Sequence, residues 1–423
     1  MKMQKGIRNK KAFLALTILF FSILFFSMSI LLTGCPPPQE PPYPDPGVPG
    51  LVHDAYHYYD YKDNVGDFVY IHMWNFSWLD DNDTPLDASD DVYGVAAYGL
   101  ANPENLMGSA GITNALGLII RPTGGTFTVD SPQWDPAIPG NFYASDTFAP
   151  GPGYEMYNPA GYIDVISDSD IHMVGTVHDG VKTISWDLVY TRIPGLGGGW
   201  LPWQQWPLPH ILGIWPAWMT YYVHMPTALV NGTFTVNDGV NPQVVYALED
   251  VTGYHDGFYG EAIFSILEWD WLEYKQYNRP GHEDLSVQLL HPHGPVYDCE
   301  GDWTPCTPGN LRVYHNGTEY NYTRHDDTIS LTYLQTEPDP EYGVSYPTQV
   351  NIYAVDDAGN VLDLTWTRAQ HIRVYYDLPD MFEDNVTYEI IADFTGTFTP
   401  AGGTAVTIAG NGFADWGSPP FPE

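Results

Sequence analysis

Short runs of alternating apolar and polar residues, each closed by turn-forming residues, recur along nearly the whole chain after residue 50. Residues 232–236 (GTFTV) run into Asn237-Asp238-Gly239, and residues 349–355 (QVNIYAV) run into Asp356-Asp357-Ala358-Gly359-Asn360. Alternation with period two puts one set of side chains on each face of a strand. The 41 glycines and 37 prolines punctuate these runs, and no long amphipathic helical stretch interrupts them. Regular strands and turns of this density predict an all-β chain of sandwiches or barrels.

Roughly 370 residues carry this pattern, enough for two domains. One internal echo suggests where they meet. Residues 56–62 (YHYYDYK) lie over residues 269–275 (WDWLEYK), with aromatic pairs at Tyr56/Tyr58 and Trp269/Trp271 and acids at Asp60 and Glu273. A more apolar strand follows each copy. If each domain opens with the same hairpin, the division falls near residue 262, giving domains over 51–262 and 263–423. Residues 195–218 (GLGGGWLPWQQWPLPHILGIWPAW) differ in kind. They hold Trp200, Trp203, Trp206, Trp215 and Trp218 among prolines that interrupt a strand ladder, so the stretch reads as a long loop. Three seats are open to its rings: capping a core, lining a ligand cavity, or resting on a membrane surface.

The N-terminus reads as an address. Lys2, Lys5, Arg8, Lys10 and Lys11 precede an apolar run over residues 12–32 that ends in Leu32-Thr33-Gly34-Cys35. A run this long can also span a bilayer. The Leu-Thr-Gly-Cys at its end resembles a bacterial lipobox and favours a signal peptide over residues 1–34, cleaved to leave an acylated Cys35. More than one acyl chain is needed for stable anchoring. Residues 36–50 (PPPQEPPYPDPGVPG) are too rich in proline for helix or sheet and read, with Cys35, as a semi-rigid tether. Pro36 stands where inner-membrane lipoproteins commonly carry Asp, which favours the outer membrane or cell surface. The expectation is an exported lipoprotein whose membrane contact is its lipid anchor.

Beyond Cys35 only ten Lys and Arg face 52 Asp and Glu. So negative a surface argues against nucleic acid and anionic headgroups as partners, and it serves solubility. Residues 80–91 (DDNDTPLDASDD) are rich in oxygen ligands, yet lack the Gly and Glu of an EF-hand loop and read as a solvated hairpin loop rather than a calcium site. His291-Pro292-His293 suits a turn better than a chelate, so no metal is expected. No Gly-x-Ser-x-Gly elbow, phosphate-binding loop or dinucleotide fingerprint is present, which leaves serine-hydrolase and nucleotide chemistry without support.

A series of segments suggests a family. Residues 221–226 (YYVHMP) precede Val230-Asn231-Gly232-Thr233, then residues 253–260 (GYHDGFYG), then Trp269-Asp270-Trp271. Upstream stand residues 174–180 (VGTVHDG) and 184–190 (ISWDLVY), and Gly410-Asn411-Gly412-Phe413 closes the chain. In this order they resemble the superfamily of carotenoid hydratases, tocopherol cyclases and fungal Diels–Alderases. Tyr259 stands where that pattern has Trp, and Phe258 where a polar residue is common. The resemblance implies two lipocalin-like antiparallel β-barrel domains, an apolar polyene, terpenoid-like or lipid-like ligand, and no cofactor.

Hydrating, cyclising or isomerising such a molecule by acid catalysis needs a carboxyl kept protonated by an apolar setting and aromatic faces for a carbocation. Asp256 is the candidate acid, with His255 a lesser one. Tyr254, Phe258, Tyr259, Trp269, Trp271, Trp186, Trp215 and Trp218 are candidate ligand-binding residues. Alternation puts Tyr254 and Asp256 on one strand face and His255 on the other. The competing reading makes Asp256 a satisfied structural carboxylate and the aromatics core. Non-catalytic lipid carrier and glycan-binding adhesin therefore remain alternatives to an enzyme.

Cys299 and Cys306 flank a short turn-rich loop (DCEGDWTPC). In an oxidising compartment they read as a disulfide rather than half of a metal site. Closing so short a loop stabilises by at most about 3 kcal/mol. Thiol titration of unfolded, unreduced protein carrying Cys35→Ser is expected to find no free thiol, and two free thiols would refute the pairing.

Overall fold

A computed structural model describes residues 70–102, 112–121, 125–130, 143–144, 155–199, 204–208, 217–261, 268–279, 281–293, 310–322, 328–376 and 385–418. Residues 1–34 and 36–50, Cys35, the repeated motif at 56–62, Trp200, Trp203, Trp215, Cys299 and Cys306 lie outside the described residues. So do the side chains of Trp206, Trp218, Phe258 and Tyr259, whose backbones are placed on strands.

Every element among the described residues is a strand. The first twelve are β1 (Tyr70–Asp80), β2 (Val92–Asn102), β3 (Ile112–Arg121), β4 (Gly125–Asp130), β5 (Tyr143–Ala144), β6 (Glu155–Asn158), β7 (Gly161–Val165), β8 (Asp170–His178), β9 (Thr183–Arg192), β10 (Gln204–Leu208), β11 (Ala217–Asn237) and β12 (Val244–Glu261). They form one antiparallel sheet in the order β4-β3-β2-β1-β12-β11-β9-β8-β7-β6-β5, with β10 paired to β11. The remaining nine are β13 (Glu268–Gln276), β14 (Leu285–His293), β15 (Asn310–His315), β16 (Thr318–Tyr322), β17 (Thr328–Asp339), β18 (Val344–Val355), β19 (Val361–Tyr376), β20 (Asn385–Thr399) and β21 (Val406–Ser418). They form a second antiparallel sheet ordered β16-β15-β14-β13-β21-β20-β19-β18-β17. The all-β architecture expected from the turn-punctuated alternation is the one found. Both sheets use one plan, in which the first described strand pairs with the last: β1 with β12, β13 with β21.

Each sheet curls around an apolar interior. In β9, Ile184, Trp186, Leu188 and Tyr190 are buried in strict alternation, and β8 contributes Ile171, Met173 and Val177. Ala115, Ile119, Phe127 and Val129 of β3 and β4 join the same cluster. The curl is tight enough that a Cβ on Gly117 of β3 would sit 2.8 Å from Ile184. Several glycines are explained by tryptophan. Trp78, Trp186 and Trp269 lie directly opposite Gly94, Gly175 and Gly417, and a Cβ on any of these glycines would come within 2.4 Å of the indole. The glycine is the space into which the ring lies down.

Period-two burial fails at one place. Residues 221–228 of β11, 253–257 of β12 and 270–276 of β13, apart from Trp271, are buried without alternation, as are residues 410–418 of β21 apart from Asp415. These strands are covered on both faces because the outer faces of the two sheets pack together. Tyr93 of β2 stacks on Phe413 of β21 at 3.8 Å, and Leu79, Leu118, Ile120 and Ile391 complete an apolar patch between the sheets.

Two local expectations are corrected. Part of the Trp-rich stretch is strand, since β10 pairs with β11 and opposes Pro207 to Trp218. Proline is accommodated because, among the described strands, β10 pairs with β11 alone, leaving an edge where its missing N–H is not needed. His291-Pro292-His293 is likewise the end of β14 rather than a turn, with Pro292 opposite Trp269.

Gly94→Ala is expected to cost about 1–3 kcal/mol, because Trp78 cannot move out of a packed interior. Urea denaturation of wild type and variant measures it, and an unchanged midpoint would mean that the indole relocates freely.

Candidate functional site

The face that Asp256 shares with Tyr254 is turned toward the second sheet, at the seam. Asn75 and Ser77 of β1 stand directly opposite Asp256 and Tyr254 and therefore share that face. Asn75 Nδ2 donates to Asp256 Oδ1 at 2.9 Å. The hydroxyls of Tyr221 and Tyr254 both donate to Asp256 Oδ2, at 2.6 and 2.9 Å, and lie 2.7 Å from each other. Trp271 of β13 reaches across the seam, donating its Nε1–H to Tyr221 Oη at 3.0 Å while its ring meets Tyr254 edge-on at 5.3 Å.

Asp256 is 4% exposed. Burial pushes its carboxyl up to about 6, against the opposing pull of the hydrogen bonds from Tyr221, Asn75 and Tyr254. Both tyrosines are pushed well above their ordinary range by burial and by the neighbouring Asp256, so they remain hydroxyl donors. The result is a carboxyl that exchanges a proton near neutral pH inside an aromatic wall.

Further along β13, alternation puts Glu273 and Lys275 on the same face as Trp271. Ser77 Oγ donates to Glu273 Oε1 at 2.9 Å across the seam, and Lys275 Nζ pairs with Glu273 Oε2 at 2.8 Å. Lys275 also lies over the Tyr254 ring, 5.6 Å from its centre. Burial raises the Glu273 carboxyl and lowers the Lys275 amine, each opposed by the charge of the other. At the other end of β13, Trp269 Nε1 donates to Asp415 Oδ1 at 2.5 Å. Asp415 stands directly opposite Glu389 of β20. Burial and the Glu389 charge push Asp415 well above the usual carboxylate range, and burial pushes Glu389 up to about 7.

His255 points the other way, into the first sheet. Its ring lies between Trp74 at 5.2 Å and Phe76 at 4.3 Å, nearly parallel to both, and its Nδ1 contacts the Asn75 carbonyl at 3.0 Å. Burial pushes it down to about 3, so it is neutral at physiological pH and cannot serve as an acid there. Trp186 is also distant from Asp256, donating to Tyr98 Oη at 2.8 Å within the first sheet's interior. Of the predicted residues, Tyr254, Asp256 and Trp271 are brought together. Trp269 lies on the same face by Asp415, and His255 and Trp186 are not part of the group.

Tyr221, Asn75, Ser77, Glu273, Lys275, Glu389 and Asp415 were not expected as site residues. The period-two signal in residues 269–275 was sufficient to put Glu273 and Lys275 beside Trp271. The rest depend on long-range register. Residues 80–91 form the β1–β2 connection, where Asp80, Asp81 and Asp87 accept backbone N–H groups of their own loop. An open cleft of about 350 Å³ lies between this loop and the bulge in β19, lined by Leu86, Asp87, Ser89, Gln370 and Asp393 among others. Asp256 does not line it.

The molecule is thus a two-sheet antiparallel β-protein with an ionisable carboxyl at the junction of its sheets. No protein-family model and no curated protein matches the chain. Its fold is similar to the crystal structure of CghA, with a TM-score of 0.51 and 12% identity over 84% of this chain and 90% of that one. A crystal structure of CghA with Sch210972 gives 0.50 and 11% identity over 83% and 88%. The all-β fold of two antiparallel sheets is consistent with the fold that the family resemblance implied.

Asp256 makes the stability of the protein pH-dependent. Its folded value of about 6 lies above the ordinary 3.8, so the folded state holds the proton more tightly. That stabilisation is complete below about pH 4 and is lost as the pH rises through about 6, a change of roughly 2–3 kcal/mol. Asp256→Asn is expected to remove this dependence and to be the more stable protein above pH 7. Urea denaturation from pH 4 to 8 tests it, and parallel curves for the two proteins would refute it.

Proposed function

We propose that this protein is an exported lipoprotein with two β-domains dividing near residue 262, which binds an apolar small molecule at the seam and protonates it from Asp256. The observation that carries this reading is the setting of Asp256: a buried carboxyl, held by two tyrosine hydroxyls and an amide against Trp271, that titrates near neutrality. An acid working at physiological pH needs such tuning. Tyr254 and Trp271 supply the aromatic faces on which a developing carbocation is stabilised. The fold likeness supports a small-molecule ligand, since CghA has been crystallised with Sch210972. Hydration, cyclisation and isomerisation all begin with this proton transfer, and ligand identity decides among them.

Two experiments test the reading. Full-length protein purified in mild detergent is expected to carry an extractable apolar compound, identified by mass spectrometry. Asp256→Asn is expected to retain that compound and lose its conversion by at least about 100-fold, the usual scale of general acid catalysis. Retention with no conversion by either protein would make it a carrier, and absence of any apolar compound would end the reading. For the anchor, cells fed labelled palmitate are expected to label the wild type and not Cys35→Ala, which should leave the membrane fraction.

A further inference from the structure

We infer that Trp271 is a positioning residue for Asp256: the second sheet reaches the carboxyl through Trp271 Nε1–H and Tyr221 Oη–H, and so sets how readily Asp256 gives up its proton. The inference rests on the reading of Asp256 as the site's acid.

An indole N–H donates and never accepts, so the direction of the chain is fixed at its start. Tyr221 accepts that hydrogen at 3.0 Å, and its own hydroxyl proton points to Asp256 Oδ2 at 2.6 Å, the shorter of the two tyrosine contacts to that oxygen. A hydroxyl that accepts from one partner becomes a stronger donor to the next, and the effect grows where water is excluded. The indole is pinned edge-on between Tyr254 at 5.3 Å and Phe413 at 5.6 Å, so its N–H is held on Tyr221. Trp271 belongs to β13 and Tyr221 to β11, which makes the chain a property of the docked sheets rather than of either one.

Other groups also bear on Asp256. Tyr221 comes from β11 and Tyr254 from β12, while β1 offers the neutral Asn75 and Ser77. From the second sheet, β13 contributes Glu273 with its partner Lys275, and β21 contributes Asp415, which itself faces Glu389 of β20. None of these charges is removed by Trp271→Phe, which takes away the N–H with part of the ring, and Phe413→Leu accounts for the lost packing. Trp271→Phe therefore separates the hydrogen-bond chain from the charge background.

The test is a carbon-13 NMR titration of the aspartate carboxyls in full-length, detergent-solubilised protein, with the Asp256 signal assigned by its loss in Asp256→Asn. Trp271→Phe is expected to raise the Asp256 midpoint by about half a pH unit or more, because the carboxylate loses a polarised donor. Tyr221→Phe is expected to raise it at least as far, and the double variant no further than Tyr221→Phe alone, because both act through one chain. Phe413→Leu loosens the packing around Trp271 without touching its N–H, and is expected to leave the midpoint where it is. An unchanged midpoint in Trp271→Phe overturns the inference. So does a shift that adds to that of Tyr221→Phe, or an equal shift in Phe413→Leu. If the Trp271 variant does not fold, Tyr221→Phe carries the test, and its failure to raise the midpoint overturns the inference. The titration reads no turnover and is run after extraction of any co-purifying compound, so a protein without turnover defeats the proposed function while the midpoints still decide the role of Trp271.

Discussion

Two curled sheets, each already filled on its inner face, press their outer faces together. The strands at that contact are buried on both faces, and a buried strand leaves no polar side chain in water. Such a group gains a partner only from the opposite sheet or its own. Ser77 meets Glu273, Trp271 meets Tyr221, and Asn411 meets Asp91 at 2.9 Å. Ser286 and Gln288 both reach the Pro226 carbonyl. Removing one member of such a pair leaves the other buried without compensation, at about 1–3 kcal/mol for a neutral group and more for a charge. This requirement fixes the register of the two sheets against each other, and the arrangement around Asp256 follows from it.

A lipocalin-like barrel suggests a ligand held inside the barrel, and the first sheet offers no room there among the described residues. Trp74, Phe76, Trp78, Trp186, Tyr190 and Phe234 occupy that interior, none more than 2% exposed. His255 is stacked within the same aromatic set. The second sheet's interior is filled in the same way by Trp366, Phe394 and Phe398 among others. The seam is different because its side chains are polar and aromatic together, and because Asp415 and Trp271 near its end keep partial exposure. The seam combines aromatic walls with titratable carboxyls.

Strand content was legible in the sequence because alternation and turn residues are local signals. The facing of Tyr254 and Asp256 was legible for the same reason, since two residues two apart on a strand share a face. Tyr221 was not. It lies opposite Phe258, two places along in unbroken register from Val223 opposite Asp256, so it shares the Asp256 face through a pairing of β11 with β12 that no local pattern carries. Pro207 misled because proline argues against a strand except at an edge, and which strand forms an edge is a property of the whole sheet. Asn75 and Ser77 carried no signal either, as a polar residue alternating with Trp74, Phe76 and Trp78 looks like an ordinary solvent-facing position. That face became interior when the second sheet covered it.

The proton inventory of the seam bears on whether it is merely structural. Asp256, Glu273, Glu389 and Asp415 lie along it, and Lys275 is the single cation the described strands set among them. These carboxyls, set against one ammonium, cannot all ionise, because each further charge adds repulsion where water screens it poorly. Lys275 neutralises Glu273, and the others retain protons into a range where carboxyls are usually empty. A seam selected for adhesion alone would be less costly with Asn and Gln at these positions, which satisfy the same donors without a charge. Carboxyls that hold protons near neutral pH add something amides do not: a proton that the protein can give up and recover as the pH changes.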